Sequence, residues 1–248
     1  GAALRLANSE HTAARVRALH PSIGPIDACP LALPDDEHAH GLTTTLPVAV
    51  GPHAAIIVAR MDAGERYKGH DALLEAWPTV LRHVPAAQLI VVGDGDDAPR
   101  LRTKARTLGV GDAVAFTGFV DAAVRDALYD QAAVFAMPSR GEGFGLAYLE
   151  AMSHGLPCIG STHDAAGEIV TNDVTGFLVD QMDTSALADR ISRLLGDADL
   201  RGAMGARGRA RVQREFTETA FAARLLALLD RAMPASVSHP ASLASPGA

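Results

Sequence analysis

Short, continuous apolar segments alternate with segments of helical periodicity through most of this 248-residue chain, and no other feature of the sequence restricts the fold as strongly. The apolar segments have the length of buried strands: residues 55–59, 88–92, 113–117, 133–137, 157–160 and 176–179. Segments of helical period separate or follow them: residues 71–83, 98–108, 122–131, 146–154, 184–195, 200–216 and 219–232. Apolar strands that alternate with helices are typical of a parallel sheet buried on both faces. We therefore predict an α/β fold, a Rossmann-like parallel sheet with helices on both faces.

Three further segments flank the domain predicted over residues 52–233. Residues 1–33 contain a short strand, a helix and an apolar stretch broken by a proline, and we expect them to be the remnant of a preceding domain whose upstream part is missing. Residues 34–51 hold two prolines, an acidic pair and a final glycine, which is typical of a linker. Residues 234–248 are rich in Pro and Ser and contain no Asp, Glu, Lys or Arg, so we predict a disordered tail.

The charge balance and the cysteine content limit the classes of partner. With 22 Lys and Arg against 29 Asp and Glu, the formal net charge is −7, which argues against broad binding to nucleic acid or anionic membranes. Two cysteines are too few and too far apart for a disulfide framework or a thiolate zinc site. No apolar run approaches the roughly 18 residues of a membrane span. We expect a cytoplasmic protein with no nucleic-acid partner, and peripheral attachment to a membrane stays open.

The loop after the first strand of the domain carries two cations. Ligands of open parallel sheets bind beyond the carboxyl ends of the strands. This loop lacks both the G-x-G-x-x-G turn of dinucleotide sites and the G-x-x-x-x-G-K-[ST] turn of nucleoside triphosphatases. It has instead Arg60 at the strand end and Lys68, one of only two lysines in the chain, at the start of a helix. The two cations could converge on one anion, although a solvated loop would also explain them.

A second informative loop follows the fourth strand. Gly141, Gly143 and Gly145 stand at alternate positions directly before a helix, so the backbone can approach a ligand closely, and the free N–H groups at the helix start favour an anion such as a diphosphate. Glu142 would repel phosphate, but a carboxylate is a natural acceptor for the hydroxyl groups of a sugar. Glu150 could face the same cleft. Taken singly, the two acids could also be an ordinary helix N-terminal acid and an exposed helix acid.

Two other patterns offer metal-ligand side chains. Asp94-Gly95-Asp96 has the D-x-D spacing of a manganese site but lies in a glycine turn, where Asp commonly makes local hydrogen bonds. Glu37-His38-Ala39-His40 lies in the predicted linker, where nothing fixes the geometry of its side chains. We therefore predict no metal site.

The run from Glu142 to Glu150 resembles the Glu-x7-Glu motif of family-4 glycosyltransferases. The resemblance extends from about residue 55 to residue 229 and covers the nucleotide-sugar half of the two-domain GT-B fold. The other matching segments occur in the order of that family: Arg60; Lys68-Gly69; Val91-Val92-Gly93-Asp94-Gly95; Phe116-Thr117-Gly118-Phe119-Val120; Met137-Pro138-Ser139; and Gly155-Leu156-Pro157. The resemblance implies the C-terminal half of a GT-B fold, with residues 1–33 as the remnant of its N-terminal, acceptor-binding domain.

The resemblance implies a retaining hexosyltransferase that uses a nucleoside diphosphate sugar as co-substrate and needs no metal or other cofactor. On this basis Arg60 and Lys68 neutralise the departing diphosphate, and cations held in place there stabilise the transition state more than the ground state. Glu142 accepts hydrogen bonds from the transferred sugar and completes the catalytic set. The donor-binding set comprises residues that border the base, the glycine loop and an acceptor for the ribose hydroxyls: Gly118, Phe119, Gly143, Phe144, Gly145, Leu146 and Glu150.

Two parts of the family pattern are altered or incomplete. Many relatives carry Gly-Gly before Pro-Glu where this chain has Asp164-Ala165-Ala166-Gly167-Glu168, so the contact of a glycine backbone and the role of Glu168 are open. Residues 1–33 represent only the last part of an acceptor domain. We therefore expect the chain to have little or no transfer activity alone, and the acceptor is an unknown glycan, lipid or small molecule.

Three alternatives are compatible with the same residues. A sugar-nucleotide epimerase or a glycoside phosphorylase on this fold would differ from a transferase in the acceptor domain. A non-catalytic nucleotide-sugar-binding module would not need both Arg60 and Lys68 at the leaving group. We therefore favour a glycosyltransferase that binds a nucleotide-sugar donor.

Overall fold

Strands and helices alternate along the part of the chain that the structure, a computed structural model, describes: residues 4–34 and 44–233. The strands are β1 (Leu6–Ala7), β2 (Asp27–Ala28), β3 (Ala54–Val58), β4 (Gln88–Val92), β5 (Val114–Gly118), β6 (Val134–Ala136), β7 (Cys158–Ser161) and β8 (Gly176–Val179). The α-helices are α1 (Glu10–Leu19), α2 (His70–His83), α3 (Ala98–Thr107), α4 (Ala122–Gln131), α5 (Leu146–Ser153), α6 (Ala166–Ile169), α7 (Thr184–Gly196), α8 (Ala198–Glu215) and α9 (Glu218–Ala232). A 3-10 helix (Ala63–Lys68) precedes α2, and a shorter one (Gly111–Ala113) precedes β5.

Six of the strands form one parallel sheet in the order β5-β4-β3-β6-β7-β8. The predicted α/β fold is confirmed. Both ends of each predicted strand lie within one residue of the ends of the corresponding observed strand. The chain first builds outward from β3 to β5 and then returns to place β6 on the other side of β3. Ligands of open α/β sheets bind at such a reversal, beyond the carboxyl ends of the two central strands. The loops after β3 and β6 therefore begin side by side.

Apolar side chains fill the space between the sheet and its helices. Ile56 and Ile57 are consecutive in β3, so they point to opposite faces of the sheet, and both are fully buried. In α2, Leu73, Trp77 and Val80 recur at helical spacing and are buried, and α2 packs against α7. Burial on both faces of the sheet explains why its strands read as continuous apolar segments in the sequence.

The N-terminal segment forms a small unit that contacts α9 and the residue Phe216 shortly before it. Strands β1 and β2 pair in parallel as a separate two-stranded sheet. In α9, Arg224 Nη2 donates to the Pro30 carbonyl oxygen at 3.0 Å. The Leu33 N–H donates to the Phe216 carbonyl oxygen at 2.9 Å. These bonds attach the N-terminal segment to the C-terminal helices.

The predicted helices are present with small shifts at their ends. Helix α6 was not predicted, because its four residues are too few to show a helical period. The tail, residues 35–43 of the linker and with them the Glu37-His38-Ala39-His40 cluster lie outside the described residues. The division into remnant, linker, domain and tail stays a prediction. Within the described ranges, no helix has the length and apolar character that crossing a membrane requires.

Two glycines let the turn after β4 pack directly on the backbone that follows β3. Gly93 has a φ of 129°, and a Cβ at this position would lie 2.2 Å from the carbonyl oxygen of Ala59. At Gly95, a Cβ would lie 2.1 Å from the carbonyl oxygen of Met61. This close approach fixes the path of the chain as it leaves β3, and therefore the position of Arg60.

We expect Gly93→Ala to lower the free energy of unfolding by more than about 2 kcal/mol, because the new methyl group overlaps a backbone oxygen and the positive φ disfavours any L side chain. Gly202→Ala is the matched control, since this glycine lies in α8 with free space around it; a gain of about 0.5–1 kcal/mol is expected there. Urea unfolding followed by circular dichroism measures both changes. Equal stability of Gly93→Ala and the wild-type chain would contradict the close approach.

Candidate functional site

A cavity of about 310 Å³ lies beyond the carboxyl ends of β3 and β6. Its lining includes most of the site residues predicted from the sequence: Arg60, Lys68, Glu142, Gly143, Phe144, Gly145 and Leu146. Asn8 and Leu31 also line it, so the N-terminal segment contributes to its wall. The structure thus brings together the cationic loop after β3 and residues 141–145 after β6, which we call the donor loop.

Lys68 and Glu142 form an ion pair at the cavity. Lys68 Nζ lies 2.7 Å from Glu142 Oε2, and the two side chains are only 16% and 17% exposed. Lys68 reaches the donor loop because the next residue, Gly69, packs closely on Pro138. Gly69 has a φ of 97°, and a Cβ there would lie 2.7 Å from the Pro138 carbonyl oxygen. Partial burial reduces screening by water, so this pair holds a cation and a carboxylate firmly at the cavity wall.

Arg60 occupies the exposed side of the same cavity. Its side chain is 73% exposed, and Nη2 lies 2.7 Å from Glu65 Oε1. Glu65 belongs to the 3-10 helix Ala63–Lys68, in which the Gly64 N–H donates to Asp62 Oδ1 at 2.7 Å. The Arg60 end of this pair is exposed to solvent, whereas the Glu65 side chain is only 22% exposed. The Arg60 guanidinium is therefore open to an anionic ligand from the solvent side.

The donor loop presents unpaired backbone N–H groups. Within the described part of the chain, the N–H groups of Phe144 and Gly145 have no hydrogen-bond acceptor. Gly145 has a φ of 102°, and a Cβ there would lie 2.5 Å from Cδ2 of Tyr148, so only glycine fits directly before α5. The Tyr148 hydroxyl in turn donates to the Met137 carbonyl oxygen. Free N–H groups at the start of a helix favour an anion.

Asp164, which was not among the predicted site residues, holds the donor loop in place. Its Oδ2 accepts hydrogen bonds from the Ser139 hydroxyl and, at 3.1 Å, from the Glu142 N–H. Its Oδ1 accepts from the Ala166 N–H at 3.0 Å, and the carboxylate is buried. No local pattern shows that this residue contacts a loop 22 positions earlier. The sequence offered one signal for this role: Asp164 is a carboxylate at a position where the family pattern has a glycine.

Glu168, whose role the sequence left open, binds the N-terminus of α1. Its Oε2 accepts from the Glu10 N–H at 2.9 Å, and its Oε1 accepts from the His11 N–H at 2.7 Å. Ser9 caps the same helix, because its Oγ accepts from the Thr12 N–H at 3.0 Å. A carboxylate at a helix N-terminus is favourable. Glu168 thus attaches the N-terminal segment to the main sheet.

Three of the predicted donor-binding residues lie outside the lining of this cavity. Glu150 faces α4, where its Oε2 accepts from the Tyr129 hydroxyl at 3.2 Å and its Oε1 lies 3.5 Å from Arg125 Nη1. Burial raises the pKa of Glu150, and Arg125 and Tyr129 partly oppose this effect. Gly118 ends β5 with a φ of 73°, and the following Phe119 is 84% exposed.

The Asp94-Gly95-Asp96 turn makes one hydrogen bond within itself and one to the loop after β3. Asp94 Oδ1 accepts from the Gly95 N–H at 2.9 Å, and Asp96 Oδ1 accepts from the Ala63 N–H at 2.7 Å. Among residues 4–34 and 44–233, no group of three His, Cys, Asp or Glu side chains is placed to hold a metal ion. Metal independence of the reaction stays a prediction.

His70, two residues after Lys68, is buried and neutral near pH 7. Burial lowers the pKa of His70 to about 4, although Asp71 and Asp97 lie nearby. These two carboxylates are bound instead by Arg100, whose Nη1 lies 2.8 Å from Asp71 Oδ1 and whose Nη2 lies 2.5 Å from Asp97 Oδ2. The His70 side chain therefore adds no charge beside the Lys68 ammonium group.

We expect His70 to make the stability depend on pH. Its folded pKa of about 4 lies below the ordinary value of 6.5, so the unfolded state binds more protons between these values. The contribution of His70 to the free energy of unfolding is therefore complete above pH 6.5. It is lost as the pH falls towards 4, which lowers the free energy of unfolding by about 3 kcal/mol. Urea midpoints at pH 7 and pH 4.5 should differ less for His70→Leu than for the wild type. His83→Leu, an exposed histidine of the same helix, is the control, and an unchanged pH dependence in His70→Leu would contradict the assignment.

Known proteins have sequences similar to this chain. The sequence model of the family described as "Glycosyl transferases group 1" matches residues 52–197. A "GDP-mannose-dependent alpha-(1-6)-phosphatidylinositol monomannoside mannosyltransferase" of Mycobacterium tuberculosis is 39% identical over 165 residues, which cover 64% of this chain and 43% of that protein. An "N-acetyl-alpha-D-glucosaminyl L-malate synthase" of Bacillus anthracis is 33% identical over 144 residues, which cover 58% of this chain and 37% of that protein.

A solved structure extends the similarity to the N-terminal segment. A sucrose-phosphate synthase from Thermosynechococcus elongatus superposes with a TM-score of 0.76 at 29% identity, covering 93% of this chain and 58% of that chain. The similarity to the curated relatives spans less than half of their length. The family match extends over β3 to α7 and includes Arg60, Lys68, Glu142 and Glu150. The chain therefore belongs to the glycosyl transferases of group 1.

Proposed function

We propose that the protein takes part in the transfer of a hexosyl group from a nucleoside diphosphate sugar to an acceptor, with retention of the anomeric configuration and without a metal ion. The observation that carries the proposal is the composition of one cavity wall. Two cations, the unpaired N–H groups of the donor loop and a carboxylate surround the same 310 Å³ space. These groups match the diphosphate and the sugar of such a donor in charge and in hydrogen-bonding capacity.

The cationic side of the cavity would stabilise the leaving group. Departure of a nucleoside diphosphate concentrates negative charge on its terminal phosphate, so cations fixed at that point lower the barrier more than they strengthen ground-state binding. Lys68 is the better fixed of the two cations because it is the less exposed. It is paired with Glu142 in the described state. On binding, the ammonium group would turn to the phosphate, and Glu142 would be free to accept from sugar hydroxyls.

The base and the ribose would bind beside the cavity. Phe119 offers an exposed ring directly after β5, and Glu150 offers a carboxylate already oriented by Tyr129. Aromatic rings stack on nucleobases, and a carboxylate accepts from both hydroxyls of a ribose diol. This assignment carries over the family-4 resemblance to Gly118, Phe119 and Glu150.

GDP-mannose is the donor we propose to test first. The mycobacterial relative named above is GDP-mannose-dependent and 39% identical to this chain. The transfer reaction is favoured over the epimerase, phosphorylase and binding-module alternatives because the matching family model describes transferases. In a longer protein that includes an acceptor domain, the anomeric configuration of the product tests retention, and transfer in excess EDTA tests metal independence.

We expect nucleoside diphosphates to raise the melting temperature of the chain, because a ligand that binds only the folded state stabilises it. Lys68→Ala and Arg60→Ala should abolish the shift, since each removes a charge-assisted contact worth about 1.5–3 kcal/mol. Differential scanning fluorimetry with millimolar GDP, UDP and ADP measures this. Arg82→Ala is the control, because Arg82 lies on α2 with its Nη2 bound to Thr79. No shift of the wild-type chain with any of the three nucleotides would refute the donor site.

We expect Glu142→Gln to separate recognition of the phosphate from recognition of the sugar. The change removes a negative charge beside the proposed diphosphate and frees Lys68, so the affinity for GDP should rise by about three- to tenfold. The advantage of GDP-mannose over GDP should fall, because the amide is a poorer acceptor for sugar hydroxyls. Isothermal titration with both ligands gives the two affinities. Weaker binding of GDP by the variant would show that Glu142 does not oppose the diphosphate.

A further inference from the structure

The carbonyl group of Gly143, in the middle of the donor loop, is held by two hydroxyl groups of the N-terminal segment. Ser9 Oγ donates to the Gly143 oxygen at 2.6 Å, and Thr12 Oγ1 donates to the same oxygen at 2.9 Å. Ser9 is fully buried. The donors stand 134 and 131 residues before their acceptor. One carbonyl oxygen thus has both of its lone pairs occupied by side chains of a distant element.

These bonds also decide where the next N–H group points. A trans peptide unit is planar, so the Gly143 carbonyl and the Phe144 N–H point in opposite directions. Hydroxyl groups that fix the carbonyl towards α1 therefore fix the Phe144 N–H away from α1. Hydrogen bonds to a carbonyl also polarise the peptide unit and make its N–H a stronger donor. Within the described ranges this N–H has no acceptor, and Phe144 lines the cavity.

The element that carries the hydroxyls is itself anchored. Glu168 accepts from the first two N–H groups of α1, and Ser9 accepts from the third. On the other side, Asp164 holds the Glu142 N–H. The donor loop is therefore fixed at two successive points, by Asp164 between β7 and α6 and by Ser9 and Thr12 at the start of α1.

We propose that Ser9 and Thr12 are positioning residues for the diphosphate: they orient the Phe144 N–H towards the distal phosphate of the donor. The inference rests on the proposed function and deepens it. The N-terminal segment then contributes to donor binding through the peptide unit that its hydroxyls hold.

Thr12→Val tests the proposal because valine keeps the shape of threonine and loses the hydroxyl. We expect the dissociation constant for GDP to rise about fivefold, the equivalent of one ordinary hydrogen bond. Binding of GMP should change by less than about twofold, because GMP has no distal phosphate for this N–H to contact. Thr12→Ser, which restores the donor, should bind GDP like the wild type. Thr107→Val is the matched control, since Thr107 Oγ1 donates to the Thr103 carbonyl oxygen on exposed α3.

A second measurement follows the peptide unit directly. In amide hydrogen exchange, GDP should slow exchange at Phe144 in the wild type and protect it less in Thr12→Val and Thr12→Ala. Unchanged GDP affinity in folded Thr12→Val, or equal losses for GDP and GMP, would overturn the positioning role and leave the donor site intact. Absence of GDP and UDP binding by the wild type would instead overturn the proposed function.

Discussion

The parallel pairing of β3 with β6 is the constraint on which the rest of the site depends. Ala55 pairs with Val134 and Ile56 with Phe135, so the carboxyl ends of the two strands lie side by side. The chain reverses its direction of sheet building between these strands, and the two loops that follow them can diverge around a ligand. The loop after β3 supplies Arg60 and Lys68. The loop after β6 includes the donor loop and leads into the N-terminus of α5. No contact between the loops would form if β6 had added at the other edge of the sheet.

Charge at the site is organised in pairs that a ligand can rearrange. The chain is acidic overall, which disfavours polyanions as general partners. The proposed ligand is nevertheless anionic, and it would meet local positive charge and unpaired N–H groups. Lys68 with Glu142 and Arg60 with Glu65 keep both cations neutralised in the described state. Under the proposed function, each carboxylate would be a temporary partner whose cation a diphosphate takes over.

The fold and the polar groups of the site differ in how far the sequence could predict them. Strands buried on both faces appear in the sequence as continuous apolar runs, and these runs predicted the strand ends to within one residue. Helix α6 was missed because its four residues are too few to show a helical period. Arg60, Lys68, Glu142 and the glycines of the donor loop stand out through local spacing. Asp164 and Ser9 do not, because their function is a contact with a loop far away in the chain. Glu150 was assigned to the donor site by motif, and the structure orients it towards α4.

The sequence by itself determined the class of fold, the two loops that carry charge and glycine, and the resemblance to a family of transferases. Hydrophobic periodicity and glycine spacing are local properties, so a single sequence records them. Only the tertiary structure decided which carboxylate pairs with which cation, that Glu168 caps α1, and that the hydroxyls of Ser9 and Thr12 bind a carbonyl oxygen of the donor loop. Hydrogen bonds act over about 3 Å. The partners of a buried polar group are therefore set by how the chain packs, and residues more than 130 positions apart leave no pattern in sequence that joins them.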